Sequence, residues 1–267
     1  MGKQKVNHKF LLLILLIVNG FLVPDLFSQP VVGLDNWFNH EINAKTGKPF
    51  HYLWSDSELS GYSRWGDIFT GRGARIATIG KPFPDELRKI NIYIIVDPDT
   101  TTESASPNYI ESDDIASIKR WVEDGGVLAV LANDGPNCEF THLNKMMRQF
   151  GITFNHVTLH PVKEDNFEMG ASINLPDHRV FKGVTKIYLK DISDINLSGT
   201  AEAILTEKGK VLMAENHFGK GYVFAIGDPW IYNEYIDHER LPESFQNYKA
   251  AENLTELLLS SAKQKKI

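Results

Sequence analysis

Two runs of five residues, Ile92–Val96 (IYIIV) and Val127–Leu131 (VLAVL), contain no charged or amide side chain. A strand with one wet face alternates apolar and polar residues, so runs like these must be covered on both faces. Between them, Ser112–Glu123 places Ile115, Ile118 and Val122 on one helical stripe. Ser112 is placed to cap that helix, Asp113 and Asp114 suit its positive end, and Gly125-Gly126 stops it. A strand, a helix and a second strand of this kind require a crossover connection, and hence a parallel pair.

The same alternation extends along the chain. Val31–Leu34, Arg75–Ile79 and Tyr222–Ile226 are further strands. Weaker strand-like pieces fall at Lys186–Leu189, Ala203–Leu205 and Val211–Ala214. A second helix, with Thr141 as its cap, carries Leu143, Met146, Met147 and Phe150 on one face and ends at Gly151, while Ala250–Leu259 closes the chain as a helix. The pattern predicts an α/β fold: a doubly wound, mostly parallel sheet of flavodoxin-like type with helices on both faces. Trp54, Trp65 and Trp121 sit in apolar patterns and are expected in the core. Residues 29–267 are expected to form one domain. Residues 1–28 read as a secretory signal: Lys3, Lys5 and Lys9 precede the apolar run Phe10–Val18, and small Ser28 suits cleavage. The expected destination is the periplasm, with the cell surface or secretion as alternatives, and no membrane span is expected once the signal is removed.

Several function classes are excluded or demoted. The formal charge of −6 argues against nucleic acid, which demands a basic face. The single cysteine, Cys138, excludes an intramolecular disulfide framework and multi-cysteine metal sites. There is no G-x-S-x-G elbow, HExxH motif or Walker loop, and Gly71-Arg72-Gly73 is too short for a dinucleotide fingerprint.

In an open parallel sheet, ligands bind beyond the carboxyl ends of the strands. Here those ends are rich in polar and aromatic residues. The first strand leads into Asp35, Trp37, Asn39, His40 and Glu41. Ile92–Val96 leads into Asp97-Pro98-Asp99, and Val127–Leu131 into Asn133, Asp134, Glu139 and His142. The last strand leads into Asp228-Pro229-Trp230, then Asn233, Glu234 and Tyr235. Asp35 and Asp97 also read as helix caps, and both Asp-Pro pairs as turns. Carboxylates at strand ends suit a divalent metal, with Asp97 and Asp228 as candidate ligands, although no defined calcium loop is present; no other cofactor is expected.

The strings His51-Tyr52-Leu53-Trp54, Ser60–Phe69 (SGYSRWGDIF), Ile92–Thr100 (IYIIVDPDT), Ala132-Asn133-Asp134, Phe167-Glu168-Met169-Gly170 and Gly227–Tyr235 (GDPWIYNEY) carry a resemblance. The chain resembles the glutamine-amidotransferase-like domains of Bacteroidota that accompany unsaturated rhamnogalacturonyl or glucuronyl hydrolases. Within these it is similar to the secreted oligosaccharide dehydratases of ulvan-degrading bacteria. True amidotransferases carry a catalytic cysteine at a strand-to-helix elbow. Here that position reads Asn133-Asp134-Gly135, with Cys138 displaced, so glutamine hydrolysis is not implied.

The resemblance implies an acidic, sulfated, uronate-containing oligosaccharide as substrate, handled alongside polysaccharide lyases, sulfatases and unsaturated glucuronyl hydrolases. The implied reaction is a hydro-lyase step that removes water from a non-reducing-end glucuronate or iduronate to leave a 4,5-unsaturated end. Such chemistry needs a base for the C5 proton, an acid for the C4 hydroxyl and neutralisation of the carboxylate. His40 or His142 is the expected base, with Tyr235 as acid or alternative base. Glu41 would orient a histidine, and Asp134 and Glu139 would do so or bind hydroxyls. Asn133, Asn233 and Arg240 would bind the carboxylate, with Asn39 and Glu234 also on substrate and Trp37 and Trp230 stacking on sugar rings. A non-catalytic carbohydrate-binding protein and an unsaturated uronyl glycoside hydrolase are the alternatives.

Overall fold

The computed structural model describes Gly2 and residues 29–236 and 240–262; the expected signal segment thus lies, Gly2 apart, outside the described residues. The first half alternates β1 (Val31–Asp35), α1 (Ser63–Gly71), β2 (Arg75–Ile79), α2 (Pro84–Leu87), β3 (Ile92–Val96), α3 (Ser112–Glu123), β4 (Val127–Leu131) and α4 (Phe140–Met147). Short strands follow: β5 (Ile152–Phe154), β6 (Ala171–Ser172), β7 (Ile187–Tyr188) and β8 (Ile195–Leu197). The chain continues through β9 (Glu202–Glu207), β10 (Lys210–Phe218), β11 (Gly221–Ile226), α5 (Asn233–Ile236) and α6 (Asn247–Ala262).

Nine of these strands form one mixed sheet. Its parallel part runs β2-β1-β3-β4-β11, in register Leu34↔Ile94, Val96↔Leu131 and Leu131↔Ile226. Beyond β11 the sheet turns antiparallel through β10, which pairs with β8 and β9, and then through β5. The sequence pattern did not announce this antiparallel extension, because β8 and β9 bury only part of their length and lack a continuous apolar run.

Alternate residues of the central strands enter two separate cores. Val32, Ile92, Ile94, Ala129 and Phe224 pack with Trp65 and Phe69 of α1 and Leu254 and Leu258 of α6. Tyr93, Ile95, Leu128, Val130 and Val223 face the other way, onto Ile118 and Trp121 of α3 and Leu143 and Met146 of α4. The result is an α/β fold with helices on both faces of the sheet. Gly126 lies tight beneath Trp121, where a Cβ would come within 2.4 Å of the indole.

Two helix starts differ from the sequence expectation. Ser112 is the first helical residue of α3 rather than its cap, and Asp114 reaches back to accept from the Glu111 N–H at 3.0 Å. Helix α4 is capped by Glu139, whose carboxylate accepts the Thr141 and His142 N–H groups at 3.1 and 2.8 Å. A charged acceptor one position before the helix satisfies two orphan donors at once, so Thr141 is not the cap. Trp65 and Trp121 are buried, whereas Trp54 is half-buried and donates its indole N–H to the Ala77 carbonyl at 3.0 Å.

Asp35, at the end of β1, fixes the path of the chain out of the sheet. Its Oδ2 accepts the N–H groups of Trp37, Phe38 and Asn39 at 3.3, 2.8 and 3.2 Å, and its Oδ1 accepts the Tyr93 hydroxyl at 2.6 Å. Burial pushes the Asp35 carboxyl up to about 7, against those four donors, which pull it down. The folded protein therefore holds this proton more tightly than the unfolded chain does. Asp35 contributes a fall in stability as pH rises from about 4 to about 7, and nothing further above that. Asp35→Asn keeps an acceptor for the backbone and can turn its N–H toward the Tyr93 oxygen. Its melting temperature, measured from pH 4 to 8, is expected to decline less steeply than that of the parent; identical slopes would contradict this account.

Candidate functional site

Because β1, β3, β4 and β11 are parallel and in register, their carboxyl ends share one edge of the sheet. The chain runs outward from β1 to β2 and returns across β1 to β3, so the crevice between β1 and β3 is where the connections diverge. The turn held by Asp35 brings the next residues across this crevice. Asp99 N donates to the Phe38 carbonyl at 2.9 Å, Asn39 donates its amide to the Asp97 carbonyl at 2.9 Å, and the His40 N–H donates to Asp99 Oδ2 at 3.2 Å.

Two imidazoles line this region. His40 Nδ1 lies 3.1 Å from Asp99 Oδ2, and its Nε2 lies 3.4 Å from the Ser104 hydroxyl. His51 Nδ1 is hydrogen-bonded to Glu41 Oε1 at 2.8 Å. The histidine side chains are 30% and 32% exposed, their carboxylate partners 0% and 10%, so each pair presents its ring to solvent and hides its anion. Glu103 completes the group, accepting the Thr100 N–H and hydroxyl, both at 2.8 Å.

Asp97 lies beneath them. Its Oδ2 accepts the Tyr52 hydroxyl at 2.9 Å and the Asn133 amide at 2.8 Å, while its buried Oδ1 has no hydrogen-bond partner among the described residues. Asp97, His51 and Tyr52 all adopt left-handed backbone, at φ 42°, 61° and 50°. Such conformations cost about 1–3 kcal/mol each in non-glycine residues and gather at sites where geometry matters more than stability. Burial is the main force on the carboxyls here. It raises Asp97 well above the usual range, Asp99 to about 7, and Glu103 upward, with Glu41 adding its repulsion to all three. These acids therefore hold protons more tightly than free carboxylates do.

The other expected site residues separate into those near this crevice and those that serve the scaffold. Trp37 is half-buried against the α3–α4 core, and its carbonyl accepts the Asn108 amide. His142 is in the first turn of α4, with Nδ1 3.2 Å from Glu139 and its ring stacked on Tyr109 at 4.6 Å. Glu139 is occupied as the cap of α4. Asp134 is fully engaged as a loop brace, accepting the Asn137 amide at 2.6 Å and the Thr158 hydroxyl at 2.5 Å.

At the end of β11 the structure corrects several expectations. Trp230 is 0% exposed and belongs to the core, so it offers no sugar platform. Its strand end is roofed by the Tyr62 side chain, whose hydroxyl donates to the Pro229 carbonyl at 2.8 Å. Asn233 is buried and its polar atoms are taken up by the protein itself. Its amide donates to the Asp56 and Glu58 carbonyls and the Ser63 hydroxyl, and its oxygen accepts the Arg64 N–H, which staples the segment before α1 to α5. Tyr235 packs edge-on against Tyr188 at 4.8 Å, and burial holds its hydroxyl far above the usual tyrosine range, so it stays protonated near neutral pH and does not serve as the alternative base. Arg240 is bound to Glu234 and Asp165 at 3.1 and 2.9 Å, a pairing that competes with a substrate carboxylate.

Asp228 is buried and its Oδ2 accepts the Lys190 N–H at 2.7 Å. Among the described residues no group of three or more His, Cys, Asp or Glu, with Asp97 or Asp228 or without them, is arranged to hold a metal ion. Sequence reasoning missed His51, Tyr52, Glu103 and Ser104. Tyr52 reaches Asp97 across 45 positions of sequence, a pairing that no local spacing encodes.

No protein-family model matches the chain, and no curated protein matches it. Solved structures share its fold. The mmIFT52 N-terminal domain aligns with a TM-score of 0.64 at 12% identity, covering 86% of this chain and 97% of that one. The cytoplasmic protein STM1381 from Salmonella typhimurium LT2 aligns with a TM-score of 0.56 at 13% identity, covering 87% and 99%. A beta-galactosidase from Rahnella sp. R3 gives 0.51 at 13% identity, with 87% of this chain matching 31% of that enzyme. At such identities the likeness is one of fold.

Asn233→Ala removes the amide that donates to the Asp56 and Glu58 carbonyls and the Ser63 hydroxyl and accepts the Arg64 N–H, and leaves that N–H without its side-chain acceptor. With about 0.5–1.5 kcal/mol per bond and added desolvation, a loss of about 2–4 kcal/mol is expected in urea unfolding. A loss below about 0.5 kcal/mol would show that Asn233 is not the staple described.

Proposed function

We propose that this chain is an exported acid–base catalyst of carbohydrate breakdown on a flavodoxin-like scaffold: a hydro-lyase that dehydrates the terminal uronate of acidic oligosaccharides. The observation that carries this reading is the pair of imidazoles, His40 and His51, each with Nδ1 close to a buried carboxylate and about a third of its side chain exposed. The strand order β2-β1-β3-β4-β11 supports the flavodoxin-like assignment. The resemblance carried by the SGYSRWGDIF and GDPWIYNEY strings supports the substrate class.

The chemistry runs as a β-elimination. One imidazole, assigned to His40, takes the C5 proton, and the C5–H electrons form the C4=C5 double bond. The C4–O bond breaks as the second imidazole, assigned to His51, gives its proton to the leaving hydroxyl, which departs as water. Asp99 and Glu41 stabilise the imidazolium of each pair and fix its orientation. The proton-holding tendency of Asp97 and Glu103 lowers the negative charge that an incoming uronate would otherwise meet. His51 takes the acid's role expected of Tyr235, and His40 rather than His142 takes that of the base. The burial of Trp230 and Tyr235 weakens the purely binding alternative, which relied on an aromatic platform.

Saturated uronyl-terminated oligosaccharides, incubated with the protein and analysed by mass spectrometry, are expected to lose one water and to gain the ultraviolet absorbance of a conjugated enoate. His40→Gln and His51→Gln should each lower the rate by about a hundredfold or more, in line with the usual contribution of a positioned acid or base. Reducing-sugar release without new absorbance, or retention of the sugar without any product, would overturn the hydro-lyase reading.

A further inference from the structure

A second cavity of about 450 Å³ opens at the opposite edge of the sheet. Tyr222, which lines it, pairs with Val127 at the amino end of β4. The cavity is therefore separated from the His40–His51 crevice by the length of a strand, roughly 16 Å for five residues. Its walls come from three places: Asp177, His178, Arg179 and Lys182 before β7, Glu215 and His217 on β10, and Leu257 and Ser261 on α6.

The floor is a closed polar relay. Glu215 accepts the buried Tyr222 hydroxyl at 2.5 Å and lies 3.5 Å from His178 Nε2, while His178 Nδ1 accepts the Val180 N–H at 3.3 Å. With Nδ1 committed as an acceptor, the proton of a neutral His178 sits on Nε2 and points at Glu215. The Glu215 carboxylate is thus hydrogen-bonded within the floor, and His178, followed by Tyr222, holds its carboxyl below the usual range.

The rim is different. Arg179, Lys182 and His217 are exposed around the opening. Arg179 is held in place by donating Nη2 to the Ser260 hydroxyl at 2.7 Å. No ion pair joins Arg179 or Lys182 to a carboxylate among the described residues; Asp177 at the rim and Glu215 in the floor are the lining carboxylates that oppose them. An anchored guanidinium, an exposed ammonium and an imidazole on one opening match a compact oxyanion, because guanidinium and ammonium groups bind phosphate-like oxygens through charge-assisted hydrogen bonds. The volume falls within the ~300–1,000 Å³ of small-molecule pockets, enough for an anion carrying a small organic group.

We propose that this cavity is a second ligand site, distinct from the His40–His51 crevice, that binds a phosphate-type oxyanion through Arg179, Lys182 and His217, either free or as the monoester of a small sugar. Titration calorimetry of the full chain at low salt, with inorganic phosphate, glucose 6-phosphate and glucose as probes, tests it. Saturable binding of one or both anions and none of glucose is expected. Tighter binding of the ester identifies a seated sugar group, and equal binding identifies the free oxyanion as ligand. Arg179→Ala and, separately, Lys182→Glu, both exposed positions, should weaken binding at least tenfold, whereas His40→Gln should leave it unchanged. Absence of binding by both anions at millimolar concentration, or affinity unchanged in both variants, would overturn the proposal without bearing on the hydro-lyase reading. Loss of binding in His40→Gln would overturn it by placing the anion in the other crevice.

Discussion

Everything in this molecule follows from strands that tolerate no water on either face. Ile92–Val96 and Val127–Leu131 are fully buried along their length, and β11 is buried between β4 and β10. Their two sets of alternating side chains demand two helical layers, and the layers demand crossovers that keep the strands parallel. Polar groups have no place inside such a sheet, so they collect where the strands stop. The concentration of Asp, Asn and His at the carboxyl edge is thus a direct consequence of how completely the interior excludes them.

That edge is shielded more than it is open. Asp35, Asp97, Asp99 and Asp228 are all buried, and each is used first to hold a turn or a neighbouring element. Desolvation makes the charged form of each costly, and mutual repulsion adds to this for the group around Glu41 and Glu103. The two histidines over this layer are supported by carboxyl groups that are largely shielded from water. Left-handed backbone at His51, Tyr52 and Asp97 indicates that the surrounding structure pins this geometry at some cost in stability.

The legible and illegible parts of the sequence divide along physical lines. Continuous apolar runs located β1, β3, β4 and β11 to within a residue, and the stripe of Ile115, Ile118 and Val122 located α3, because burial on a repeating face leaves a periodic trace. The antiparallel extension left only a weak trace, since half-exposed strands owe their pairing to neighbours. Asn233 and Trp230 look like binding residues when read after a strand. They are a staple and a core filler because α5 and the Tyr62 segment fold over that strand end.

By itself the sequence determined the layer architecture, the direction of the central strands and the edge at which polar chemistry gathers. These depend on local periodicity and on the rule that parallel strands expose their ends together. The tertiary structure alone decided which polar residues meet. His40 finds Asp99 across 59 positions, Tyr52 finds Asp97 across 45, and Asn233 reaches Asp56 across 177. Pairings at such separations are set by where loops close over the sheet, and loop closure depends on long-range packing that no short window of residues contains.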